Sequence, residues 1–317
     1  MPESGLTVQK RAYSAGVNFF KGLRGHMQIA LHAGVHNTDE DRLLKCLLKN
    51  RDKLREDGVC VPGPSRYRRL LRDALQAMDR AAPLPQARAV LLDAMIDTDY
   101  PARLVLSNDN FFCVPKLAIG ANQFYPRAEE KLRRLRQLFP QDTLELFIGL
   151  RNPASLLPAL AQQLPGTSFA QFLGQTDPRL LRWGEMVARL RHAVPDVSIT
   201  LWCNEDTPLI WGQIVREIAG MDHNEMIVGG MDLLAEIMAP DGYRRFRTYL
   251  KEHPEMTEIQ RRRVIAAFLD KYALPDQIED SVDVPGWTPA LIAELTEIYD
   301  EDVFQLSAIQ GVQMITP

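Results

Sequence analysis

Residues 29–45, IALHAGVHNTDEDRLLK, carry the reading that decides the fold. An apolar run enters a turn at Gly34, and leucines at helical spacing follow: Leu43, Leu44, Leu47, Leu48 and Leu54. Strand, glycine turn and helix in that order form the layout of a phosphate-binding loop, whose amides and helix N-terminus face an anion. Yet this turn carries Asp39, Glu40 and Asp41, where such loops have amides, hydroxyls and a lysine. The layout points to a phosphate and the charge points away from one.

Working outward from the loop, apolar runs alternate with helical patterns. Strands are predicted over 27–33, 103–109, 144–150 and 198–204, with a short extended piece at 59–64 that its prolines stop. Helices are predicted over 39–57, with Thr38 or Asp39 as N-cap, and over 67–79, 86–97, 127–139 and 179–194. This alternation predicts an α/β fold, a three-layer parallel sheet flanked by helices, with a mainly helical region from about 208 to 317. A single domain is expected over 27–317. Residues 1–26, with Lys10, Arg11, Lys21 and Arg24 around a short AGVNFF, read as an N-terminal extension without a signal-peptide core, and Met27 as a candidate start.

Composition narrows the function classes. With 46% apolar residues, 25% charged residues and a net charge of −4, the 317-residue chain has no global field for nucleic acid or an anionic membrane surface. No apolar run approaches the 18 or so residues of a membrane span. Cys46, Cys60, Cys113 and Cys203 are far apart with no CxxC pair, which predicts reduced thiols and a cytoplasmic protein. The arginines at 244, 245 and 247 and the run Arg261–Arg263 alternate with acidic residues and read as solvated helix faces.

In an open parallel sheet, ligands bind at the carboxyl ends of the strands. Four predicted strand ends are polar: HAGVHNT (32–38), LSND (106–109), LRNP (150–153) and WCNED (202–206). Their convergence on one edge is the expected site. His32 and His36 are four residues apart, but on a strand and turn rather than a helix and without a third ligand, so no metal site is expected.

These loops, in order, resemble the bacterial sulfotransferase-like branch of the PAPS-dependent sulfotransferases, a P-loop-type fold. The resemblance rests on GVHNTDEDRL (34–43), GVCVPGPSRYRRLL, LSND, LRNPASLLPAL, WCNEDTPLIW and YDEDVFQLSAIQGV, and covers about 27–317. It implies a donor site for PAPS, with adenosine 3′,5′-bisphosphate as the product nucleotide. Gly34, Val35, His36, Asn37, Thr38 and Arg42 would line it at the phosphosulfate, and Arg151 and Ser155 at the 3′-phosphate. It also implies a small-molecule or carbohydrate hydroxyl as acceptor. Asp109 is the first candidate for the general base and His36 the other catalytic candidate, with Glu205 and Asp206 behind them.

The departures from the family pattern have a physical reading. Asn37 stands where the family has a lysine and brings no charge to a transferring group that electrostatics must stabilise. Asp39, Glu40, Asp41 and Arg42 replace a small Gly-Thr-Thr-Ser turn, and Ala159 replaces the clamp serine, with Ser155 one helical turn earlier. Two functions are therefore carried forward. One is a sulfotransferase-like protein with a degraded donor site that binds a ligand or partner. The other is an active PAPS-dependent sulfotransferase in which Arg42 compensates. Without a GxxxxGK[ST] motif, a kinase or NTPase reading has no support.

Overall fold

The computed structural model describes residues 26–97, 101–223, 225–278 and 284–317. Residues 1–25 of the expected N-terminal extension lie outside the described residues. Six strands form one parallel sheet: β1 (Gln28–His32), β2 (Val59–Cys60), β3 (Arg103–Ser107), β6 (Thr143–Leu150), β7 (Ser198–Cys203) and β8 (Val312–Ile315). Their order across the sheet is β2-β3-β1-β6-β7-β8. The chain thus leaves β1 toward one edge and returns to build the other, which makes β1 the centre and its carboxyl end a switch point.

Alternation along β1 explains the layers. Ile29 and Leu31 are wholly buried on one face, against α3 (Pro64–Ala77), α4 (Ala87–Met95), α5 (Ala128–Leu138), α6 (Pro153–Gln162) and α8 (Trp183–Ala193). Ala30 faces the other way, toward α1 (Arg42–Lys49) and α9 (Thr207–Ala219), with Val105, Phe147 and Trp202 beside it. A strand buried on both faces reads as a continuous apolar run, and each buried Ile or Leu contributes about 2 kcal/mol. A smaller core of Leu234, Ile237, Phe246 and Ile265 joins α10 (Asp232–Ile237), α11 (Pro240–Glu252) and α12 (Glu258–Tyr272). The chain ends through α14 (Pro289–Leu306), after a short α13 (Pro275–Ile278), into β8.

Several boundaries differ from expectation for local reasons. The helix expected over 39–57 starts at Arg42, because Asn37, Glu40 and Asp41 all adopt left-handed backbone. It also breaks at Asn50, whose side-chain amide donates to the Cys46 and Val228 carbonyls, and α2 (Arg51–Glu56) follows. The helix expected from 67 begins at Pro64, a residue suited to a first helical turn. Edge strand β8 and a two-stranded hairpin, β4 (Ile119–Gly120) with β5 (Gln123–Phe124), were not expected. The hairpin turns on Ala121 and Asn122, both at positive φ, as a tight two-residue hairpin turn requires. Ala at such a position gives no turn signal in sequence.

Candidate functional site

The four polar strand ends do meet at one edge of the sheet. His32 lies level with Ser107 on β3 and Phe147 on β6, and Leu150 on β6 lies level with Cys203 on β7. The loop after β1 keeps pairing with β6, since Val35 N–H donates to the Gly149 carbonyl and Gly149 N–H to that of Gly34. Gly34 is required here on two counts. Its φ is +95°, and a Cβ would stand 3.2 Å from both Cα and the carbonyl oxygen of Asp109. The first two strand ends are thereby packed backbone against backbone.

His36 is held on all sides. Its Nε2 lies 3.1 Å from the Cys113 carbonyl, an acceptor only, so Nε2 carries the proton. Nδ1 is then the acceptor for the Tyr125 hydroxyl at 2.8 Å, and that same oxygen accepts the His36 amide at 3.2 Å. Burial pushes the ring's pKa down, and the ring stays neutral. The β4–β5 hairpin is what delivers Tyr125, with Phe124 stacked on Trp183 at 3.9 Å behind it. Both nitrogens of this catalytic candidate are committed to protein.

The donor-site candidates are likewise engaged with one another. Asp39 is buried, and its carboxylate accepts the Leu43 amide at 3.2 Å, inside the first turn of α1. The Thr38 hydroxyl donates to the Val35 carbonyl at 2.7 Å. Arg42 bridges the turn to α10, its Nε 2.7 Å from Glu236 and its Nη1 3.2 Å from Glu40. Asp41 is gripped by Arg68 of α3, whose Nε also donates to the Ser107 carbonyl at 2.9 Å. That grip holds the Asp41 carboxyl below its usual pKa.

Arg151 points at the turn. Its Nη1 hydrogen-bonds the Asn37 carbonyl, and its Nε donates to Ser155 Oγ at 3.0 Å. The Trp183 indole N–H fixes the Arg151 carbonyl at 3.0 Å. Asn37 sits at φ +57° with its side-chain oxygen buried and without a hydrogen-bond partner. Beneath the turn, His32 is fully buried, with Nδ1 2.9 Å from Ser107 Oγ and the ring stacked on Trp202.

The candidate bases part company. Asp109 accepts from the Asn110 side chain at 2.8 Å and is half-buried beside Gly34. Glu205 is a brace instead: it accepts the Asn152 amide at 2.8 Å and the Tyr299 hydroxyl at 3.1 Å, tying the end of β7 to that of β6. Asp206 occupies the position before α9 without a side-chain capping bond, and burial raises its pKa. Arg68 and Tyr125 were missed in sequence. Arg68 lies in the quoted RYRRLL run, where nothing marks which arginine turns inward, and Tyr125 depends on the unsignalled hairpin.

A small cavity of about 170 Å³ lies on the α10 side of the turn, lined by Glu40, Arg42, Lys45 and residues of α10. Among the described residues, no group of three or more His, Cys, Asp or Glu is placed to hold a metal ion. No helix among them is long and apolar enough to cross a membrane. The chain matches no family model and no curated protein.

Proposed function

We propose that the chain is a sulfotransferase-like protein whose donor-nucleotide site is closed by its own side chains and which acts as a binding or scaffold protein. The observation that carries this reading is the Asp39 carboxylate on the Leu43 amide. An anion bound at a helix N-terminus uses those N–H groups and that end of the dipole, and here a fixed negative charge already does so. A phosphate brought to 4 Å from that carboxylate meets about 1 kcal/mol of repulsion per charge pair in water and about 4 in partly dried surroundings. Arg151 and Arg42 are also engaged, with the Asn37 carbonyl and with Glu236. The ancestry half of the proposal is supported by the strand order and by the four polar strand ends on one edge.

Calorimetric titration with adenosine 3′,5′-bisphosphate tests it. The expected result is no binding at millimolar nucleotide. Micromolar binding overturns the closed-site reading in favour of an active PAPS-dependent enzyme, in which Asp109 is the base left for a hydroxyl acceptor. A restored loop, Asn37→Lys with Asp39→Gly and Asp41→Gly, is expected to gain affinity. Glycine suits position 41, whose φ is +62°.

A further inference from the structure

Three cations share one face at the start of α5. Arg127, Lys131 and Arg134 stand four and then three residues apart, which is helical spacing. Like charges so placed repel, and the first turn of a helix disfavours a cation. Two carboxylates answer them, and both are held by the arginines. Glu130 accepts from Arg127 Nε at 2.8 Å and is gripped by Arg134 as well. Asp79, just beyond α3, lies 2.6 Å from Arg134 Nη1 and 3.6 Å from Arg127 Nη2.

Lys131 is left outside these pairs. Among the described residues its ammonium makes neither an ion pair nor a hydrogen bond. It is sheltered too: of the described lysines, those at 45, 49, 53, 116, 251 and 271 are exposed and Lys131 is not. An ammonium that is partly buried, without an acceptor and beside two guanidinium groups is costly to keep charged. Burial, and then Arg127 and Arg134, hold its pKa below the usual lysine value, against the pull of Asp79 and Glu130. A lysine whose charge is disfavoured in this way, by desolvation next to other cations, is an activated nitrogen nucleophile.

We propose that Lys131 is an acylation site, its amine taking the acyl group of an acyl phosphate or an acyl thioester. The neutral nitrogen attacks the acyl carbon and an N–C bond forms. The bond from that carbon to the phosphate oxygen or the sulfur breaks, and the proton that the nitrogen loses leaves with the phosphate or thiol. The product amide carries no charge, so the repulsion between Lys131 and the two arginines ends with the reaction. Lys49, by contrast, would give up the Asp232 carboxylate that partners it. The inference rests on a different part of the molecule from the nucleotide reading, and either stands if the other fails.

Acetylation of the full chain with limiting acetyl phosphate or a small acetyl thioester, mapped by peptide mass spectrometry between pH 7 and pH 10, tests the proposal. At pH 7.5 Lys131 is expected to react about threefold or more faster than exposed Lys116, since more of its amine is neutral. Its rate is expected to level off at a lower pH than that of Lys116, which keeps rising toward the ordinary lysine range of about 10.4. The donor that gives the larger ratio of Lys131 to Lys116 identifies the source of the acyl group. Arg127→Gln, at a side chain 58% exposed, removes one neighbouring cation and one of the two arginines that hold Asp79 and Glu130. It is expected to slow Lys131 about threefold, with the rate at Lys116 and the circular dichroism spectrum unchanged. Lys131 reacting no faster than Lys116 with either donor, parallel pH profiles for the two lysines, or a folded Arg127→Gln with the wild-type rate at Lys131 each overturn it. Where the variant does not fold, the two pH profiles on the unaltered chain decide.

Discussion

The Asp39 carboxylate stands 3.2 Å from the Leu43 amide and completes the first turn of α1 from within the chain. A site that in a phosphate-binding loop waits for a ligand is here part of the folded core. Replacement separates its two roles. Asp39→Ala is expected to lose about 1 kcal/mol of stability in urea unfolding, the usual cost of a lost capping oxygen. Asp39→Ser keeps an oxygen without the charge and is expected to stay within about 0.5 kcal/mol of wild type. No loss in Asp39→Ala would show that the capping bond contributes nothing.

The Tyr125 hydroxyl serves two buried atoms of His36 at once. Tyr125→Phe leaves the His36 amide and Nδ1 unpaired in a site that water does not reach, and each such atom costs about 1–3 kcal/mol. A loss of about 3 kcal/mol is expected in the urea midpoint at unchanged slope. A loss under 1 kcal/mol would mean that the turn relaxes around the gap.

His32 and His36 are both held below the ordinary histidine pKa by burial. The unfolded chain therefore takes up protons first as pH falls. Stability is full above about pH 6.5 and is lost as the pH drops from there toward the folded values, by up to about 1.4 kcal/mol per pH unit for each ring. Urea unfolding at pH 7.5, 6.5 and 5.5 measures this slope. His32→Leu is expected to remove its share, and an unchanged slope refutes the assignment.

Burial raises the thiol pKa of Cys113 to about 12 and those of Cys46 and Cys203 to about 11, and it raises that of Cys60 as well. At pH 8 a thiol of pKa 12 is about 10⁻⁴ ionised, and only the thiolate reacts. The native chain is expected to react with a disulfide reagent at least 100-fold more slowly than the urea-unfolded chain, which releases four equivalents. A burst from the native protein would count against buried, protonated cysteines.

How much of this was legible in the sequence depends on the range of the interaction. Runs such as QIALH and TLELFIGL are apolar on successive residues, so burial on both faces of a central parallel sheet follows from them directly. The polar ends of β1, β3, β6 and β7 could be placed on one edge, since parallel strands joined by crossovers share a direction. That the turn after β1 is poorly suited to a phosphate was also readable, because it depends on residue charge: no lysine at Asn37, and three acidic residues at 39–41.

What each polar group actually touches was decided only by the tertiary structure. Whether Asp39 faces solvent or the Leu43 amide depends on left-handed backbone at Asn37, Glu40 and Asp41, and side-chain propensity does not fix that. Arg151 turns to the Asn37 carbonyl, and Glu205 to Asn152 and Tyr299, across separations of 53 to 114 residues. Of the run Arg261–Arg263, which reads as a solvated face, Arg262 is largely covered once α9 packs against α12, while Arg261 stays partly exposed and Arg263 exposed. The sequence by itself determined five of the six strands, their shared direction and the residue types at their carboxyl ends, but not edge strand β8. Packing alone decided which of those groups remain available to a ligand, because availability is a matter of distance and burial between segments far apart in the chain.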